Sequence, residues 1–286
     1  MGYRIITDTC CDFPEHMYEQ LQLSVVPLSV NFQGKTFSTY SETWLKNMFD
    51  GLRAGEVATT SAANPQIWED AIEPVLQAGE DALVLTFSSG LSATHQSAVI
   101  AAGELSERYP DRIVKVVDTL CASLGQGLLV YYACQKRDEG LSLDALTQWC
   151  EEHKYNLCHW FTVDDLMYLK RGGRISAATA LMGTMLKIKP ILHVDNQGHL
   201  INTGKTRGRK ASIEDLANKM GQLALPDQND TVFICHGDCI EDAQYLEQLV
   251  KKNYGVKNVF IYYVGAVIGS HSGPGTLALF FLGKHR

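Results

Sequence analysis

The sequence predicts an α/β protein of two domains: an N-terminal, mostly parallel sheet flanked by helices over residues 1–160, and a C-terminal mixed or antiparallel α/β domain over 161–286. Three observations lead there. Through the first half, short aliphatic runs alternate with helical patterns, the rhythm of parallel strands joined by crossover helices. After about residue 155 that rhythm gives way to neighbouring strands joined by a tight turn, which pair antiparallel. And 286 residues without a low-complexity tract are enough for two ordinary cores.

In chain order, YRIIT (3–7) and LSVVPLSVNF (23–32) read as strands because β-branched and aliphatic residues cluster between turn residues. Helical spacing of apolar residues follows in ETWLKNMFDGLRAG (42–55) and in NPQIWEDAIEPVLQAG (64–79), where Asn64 and Pro65 suit a helix start. DALVLTF (81–87) is a buried strand, SATHQSAVIAAGELSERY (92–109) a helix, RIVKVVD (112–118) a strand and ASLGQGLLVYYACQKRDEG (122–140) a helix. Beyond the boundary, NLCHWFTV (156–163) and KPILHVDNQGHLINTGKTR (189–207) read as strands, the second run folding back at DNQG. Helices at 208–223 and 240–253 alternate with TVFICH (231–236) and NVFIYYV (258–264), before an apolar end, GTLALFFLG.

A net charge of −7 argues against a general nucleic-acid binder, and no run approaches the roughly 18 apolar residues of a membrane span. The start, MGYRIITDTCCDF, lacks the apolar core of a signal peptide, so a cytoplasmic protein without stable membrane insertion is expected. The eight cysteines form no C-x-x-C and read as buried small apolar residues. CHGDC (235–239) gathers Cys235, His236, Asp238 and Cys239, but not at the spacing of a common zinc site, and no metal is expected.

Four stretches carry chemistry. TFSSGLSATH (86–95) leaves a parallel strand and enters a helix, the edge of an open α/β sheet where ligands bind. Helix capping needs one hydroxyl, and here there are five, with Ser89, Gly90 and Ser92 at the turn. ATTSAANP (58–65) places Thr59, Thr60 and Ser61 before a second helix start; two such loops together suit one oxyanion. GAVIGSHSGPGT (265–276) frames His271 in a tight glycine-rich loop, able to donate to an anion or act as a base. DDLMYLKRGGRIS (164–176) sets Lys170, Arg171 and Arg174 around Gly172-Gly173; a helix C-cap explains Lys170 and Gly172, whereas Arg174 beyond it suits a phosphate or an acidic partner. A nucleophile elbow, a Walker A loop and a dinucleotide fingerprint are all missing from the sequence. A catalytic Ser–His pair stays open.

Taken in order, IITDTCCDFP, VVPLSVNFQGKTF, TTSAANP, TFSSGLSATHQSA, VVDTLCAS, DDLMYLKRGGRIS, MLKIKPILHV and GSHSGPG resemble the DegV family of fatty-acid-binding proteins, which includes the acyl-carrying subunit of bacterial fatty acid kinase. The likeness runs from residue 4 to about 275. It implies one long-chain fatty acid in an apolar tunnel between or beside the two domains, as ligand rather than cofactor. Its carboxylate would rest on Thr60 and Ser92, with Ser89 nearby, Ser61 and Gly90 in secondary contact, and His271 closing the polar end. Arg171, with Lys170 and Arg174, would lie where a kinase catalytic subunit and its phosphate approach. The implied role is non-catalytic: presentation of the acyl group for acyl-phosphate formation, on the way to phospholipid metabolism. Ala93 and His95 stand where the family commonly has Gly and Tyr, and bear on the shape of that loop. The alternative is a serine-dependent ester hydrolase using a loop serine and His271. Burying ~15 methylenes at about 0.8 kcal/mol each gives on the order of 12 kcal/mol of gross transfer energy. Hydrogen bonds to the carboxylate add about 1.5–3 kcal/mol each, so the tunnel should supply affinity and the hydroxyls orientation.

Overall fold

The computed structural model describes residues 2–176 and 188–286. Strands β1 (Tyr3–Asp8), β2 (Ser24–Val26), β6 (Asp81–Thr86) and β7 (Val114–Asp118) form a parallel sheet in the order β2-β1-β6-β7. Helices α3 (Pro65–Gln77), α4 (Thr94–Arg108) and α5 (Leu124–Asp138) alternate with these strands, as the aliphatic runs predict. β6 is buried on both faces, which is why its sequence is apolar without alternation. Asn64 caps α3 by accepting from the Ile67 amide at 3.0 Å, and Pro65 occupies its first turn.

The run 23–32 is two strands, not one. Pro27 lacks the N–H a ladder needs, and beyond it β3 (Ser29–Phe32) leaves the parallel sheet to pair antiparallel with β4 (Lys35–Phe37) and β5 (Thr59–Ser61). The second hydroxyl loop is therefore a short strand, in register through Val30 and Thr60. Helix α2 (Glu42–Arg53) is as predicted, with Ser41 as its cap. Helices α1 (Glu15–Gln20) and α6 (Leu143–His153), the latter capped by Ser142, lie outside the predicted set.

A six-stranded mixed sheet forms the second layer, in the order β10-β9-β8-β13-β11-β12. Its strands are β8 (Leu157–Thr162), β9 (Ile188–Val194), β10 (Leu200–Arg207), β11 (Thr231–His236), β12 (Asn258–Tyr263) and β13 (Leu277–Leu282). Only β11 and β12 run parallel; the other neighbours are antiparallel. β8 spans residue 160 and belongs wholly to this sheet. The β9–β10 turn is built on Asp195, whose carboxylate accepts from the amides of Gln197 and His199 at 2.9 Å. The first three residues of the MLKIKPILHV motif lie outside the described residues.

Helices α8 (Arg209–Leu223) and α9 (Ile240–Tyr254) cover one face of the mixed sheet around Leu216, Met220, Leu246 and Phe281. The other face packs on α5, whose early residues are buried on every side. Two glycines make that fit possible. A Cβ at Gly125 would collide with the His159 ring, and one at Gly127 would come within 2.7 Å of the Cys11 carbonyl. GAVIGSHSGPGT, expected as a loop, contains helix α10 (Ala266–Ser272), ended by Gly273 at φ 77°.

Candidate functional site

Where the two sheets face each other they leave a cavity of about 280 Å³. Its walls are mainly apolar, with Leu28, Phe87, Phe161, Leu169, Val267 and Phe280 drawn from both halves of the chain. Thr60, Ser92, Arg174 and His271 also line it. Thr60, held in β5, lies with Oγ1 2.7 Å from His271 Nε2, joining the small sheet to the last turn of α10. The other side of the imidazole packs on Gly172, where any Cβ would collide with Nδ1. Burial first, then the neighbouring Arg174 charge, hold the His271 pKa down at about 4, so the ring is neutral at pH 7.

Gly172→Ala is expected to displace the ring, break its contact with Thr60 and move its pKa back toward 6.5. An imidazole NMR titration that still gave about 4 in this variant would show that the close approach does not hold the ring.

Most hydroxyls of the 86–95 loop build the loop. Thr86 Oγ1 lies 2.9 Å from His95 Nδ1 and donates to Val117 O. Ser88 Oγ donates to Gly198 O at 2.9 Å and accepts from the Gly90 amide at 3.1 Å. The Phe87 amide donates to buried Asp8 at 2.7 Å, and the Ser89 amide to Asp118 at 3.2 Å. Gly90 serves close approach: a Cβ there would sit 2.7 Å from Gln197 O, blocking the β9–β10 turn from closing on the loop. α4 begins at Thr94, with the Ser92 hydroxyl accepting the Thr94 amide at 3.2 Å. Ser92 is thus the loop hydroxyl that lines the cavity, whereas Ser89 and Ser61 are exposed side chains outside the lining, and Gly90 is outside it too.

The basic stretch divides. Arg171 is exposed and stacks over the Tyr168 ring, 5.5 Å from its centroid, and Lys170 is half-buried; neither lines the cavity. Arg174 does. Its Nε and Nη2 donate to Leu91 O at 3.1 and 3.0 Å, and Nη1 donates to Gly172 O. Among the described residues lining the cavity, it is the only one with a full charge at neutral pH.

Sequence reasoning missed the inner wall: Ser123, His159 and Cys235. His159 donates from Nδ1 to Leu157 O at 2.9 Å and accepts the Ala122 amide on Nε2 at 3.3 Å, which fixes its neutral form. Burial, with Arg286 second, pushes its pKa down to about 3. Cys235 belongs to CHGDC, and the described residues hold no cluster of three or more potential metal ligands. Among the described residues, the hydrogen-bond partner of His271 is Thr60 and not a serine.

A family model described as "Uncharacterised protein, DegV family" matches residues 3–284. The chain belongs to the DegV family. A DegV domain-containing protein of Clostridium perfringens is 44% identical over 281 residues, covering 98% of this chain and 97% of the relative. Two solved DegV structures cover it almost end to end. One, from Thermus thermophilus and described by its fatty-acid binding, superposes with a TM-score of 0.89 at 32% identity over 99% of this chain and 100% of the other. The other, DegV from Bacillus subtilis, described as a fatty acid binding protein, gives 0.81 at 30% identity with 99% and 100% coverage. The DegV fold is thus the parallel sheet, shared helix and mixed sheet seen in this chain. Among its described residues, no helix is long and apolar enough to cross a membrane.

Proposed function

We propose that the protein binds one long-chain fatty acid in this cavity and presents its carboxylate to a partner kinase. The observation that carries the reading is a mainly apolar cavity whose hydroxyls on β5 and at the start of α4 share the lining with one guanidinium. An alkyl chain would displace water from the apolar walls, and Thr60 and Ser92 would donate to the carboxylate. Arg174 answers the carboxylate charge, since a buried anion without a partner is costly. Neutral His271 orients Thr60 through the bond they share. Fatty-acid binding by the Thermus thermophilus and Bacillus subtilis relatives supports the ligand class.

Presentation to a kinase catalytic subunit rests on the family resemblance and on the exposed Arg171 and half-buried Lys170, which share α7 (Met167–Arg171) with cavity-lining Leu169. Those cations suit an approaching phosphoryl donor. Denaturing extraction and mass spectrometry of purified protein should return a single long-chain fatty acid near one per chain. Thr60→Ala with Ser92→Ala should lower that occupancy at least tenfold while far-UV circular dichroism stays unchanged; unchanged occupancy would remove the carboxylate anchor. Lys170→Ala with Arg171→Ala should retain bound lipid yet lose acyl-phosphate formation with added kinase subunit and ATP, and equal turnover by this variant would remove the basic stretch from partner contact.

A further inference from the structure

Behind the inner cavity wall lies a carboxyl group that the fatty-acid reading does not use. Asp12 is 4% exposed and ends the turn after β1 in a left-handed conformation, φ 55°. The Ser123 hydroxyl donates to its Oδ2 and also lies 3.3 Å from Cys235 Sγ. Ser123 and Cys235 both line the cavity, so one layer of side chains separates this carboxyl from the ligand space. Its other oxygen, Oδ1, is buried with no hydrogen-bond partner. Oδ1 presses on Gly265, where any Cβ would collide with it, directly before the helix that carries His271. The Gly265 amide is near enough to favour the charged form without completing a hydrogen bond.

Ser123 itself sits at φ 55°, ψ −148°, a region nearly reserved for glycine, so the contact is held against backbone strain. A buried carboxylate with one unmatched oxygen is poised between two protonation states.

We propose that Asp12 takes up a proton when an acyl chain fills the cavity, making fatty-acid binding tighter in mild acid. The proposal rests on the fatty-acid reading above. An alkyl chain replacing water along Ser123 and Cys235 removes solvation from the ionised carboxylate and favours the neutral acid. Coupling is reciprocal: if filling the cavity draws in a proton, supplying protons strengthens filling.

Groups facing Asp12 from the surrounding elements are Asp8, Cys10 and Cys11 of its own turn, Tyr18 of α1, Tyr40 ahead of α2, Cys235 of β11 and Tyr262 of β12. Burial pushes each of these thiols and phenols upward, so none ionises near neutrality. Burial also raises Asp12, to about 7, and Asp8, to about 6. Asp8 is already matched by the amides of Phe87 and Cys10 and by Gln126. Asp12 is the group with an unmatched oxygen beside the cavity wall.

The test is palmitate binding to delipidated full-length protein by calorimetry at pH 6, 7 and 8, in two buffers of different ionisation enthalpy. Wild type should bind about three- to tenfold more tightly at pH 6 than at pH 8 and take up a fraction of a proton at pH 7. Asp12→Asn, an isosteric mimic of the neutral acid, should bind at pH 8 as tightly as wild type does at pH 6, with that uptake gone. His271 and the ligand's own carboxylate contribute alike to both proteins and cancel in the comparison. Equal pH dependence in wild type and Asp12→Asn would overturn the proposal while leaving fatty-acid binding intact. No palmitate binding at any pH would remove both. Should Asp12→Asn fail to fold, Ser123→Ala carries the test: loss of the donor raises the Asp12 pKa, so the weakening of affinity should begin at higher pH than in wild type, and an unmoved profile would overturn the idea.

Discussion

Replacing Ala278 with phenylalanine should empty the protein of lipid without unfolding it. Ala278 lies in β13 between Phe161 of β8 and Cys235 of β11, is 5% exposed and lines the cavity. In a filled core an added ring costs about 1–3 kcal/mol through strain. Here it projects into space that is open already, so the same ring recovers apolar burial and van der Waals contact. Bound fatty acid recovered by extraction should fall more than tenfold, while the melting temperature of delipidated protein holds or rises. A variant that melts normally and still carries lipid near one per chain would place the acyl chain elsewhere.

Arg286→Ala should produce the largest loss of stability. Arg286 is 8% exposed, and its guanidinium reaches into the floor of the structure. Nη1 donates to Leu120 O at 2.7 Å and Asp195 O at 2.9 Å; Nη2 donates to Lys154 O at 2.6 Å, Thr119 O at 3.3 Å and Cys121 Sγ at 3.1 Å. One side chain thus ties the loop after β7, the turn before β8 and the β9–β10 hairpin. Truncation leaves several buried acceptors unmatched, for a cost of about 3 kcal/mol, or about 6–12 °C in melting temperature for a chain of this size. Arg286→Lys should restore little, because an ammonium cannot span these acceptors as a planar fork does. A melting shift below about 2 °C in Arg286→Ala would show that water or the backbone replaces the clasp.

The periodic part of the fold was legible. DALVLTF and TVFICH are apolar without alternation because their strands are buried on both faces, RIVKVVD forms the edge strand of the parallel sheet with Val117 buried, and the hairpin at DNQG is set by the Asp195 turn. Partner choice was not legible. β3 and β5 pair across thirty residues through contacts such as Val30 with Thr60, and nothing local to TTS distinguishes a capping loop from an edge strand. α10 was hidden because its four flanking or internal glycines read as a loop, whereas Gly269 is needed where the Phe49 ring would come within 2.8 Å of a Cβ. Thr60, Ser92 and His271, each singled out by its loop, line the cavity, and of the three cations read as partner contacts Arg174 lies there with them. The inner wall stayed invisible because Ser123 and His159 sit in an apolar helix start and an apolar strand, where a polar residue reads as incidental until its neighbours are known.

The bond between Thr60 and His271 spans 211 positions of sequence. During synthesis, the parallel sheet has all four of its strands once β7 has emerged, long before α10 exists. A nascent chain can therefore hold a nearly complete first layer while still lacking His271 and the β13 wall of its cavity, so the fatty acid proposed above would load only after those segments emerge. Ribosome-stalled chains arrested between β12 and α10 should emerge protease-resistant in their first layer and lipid-free.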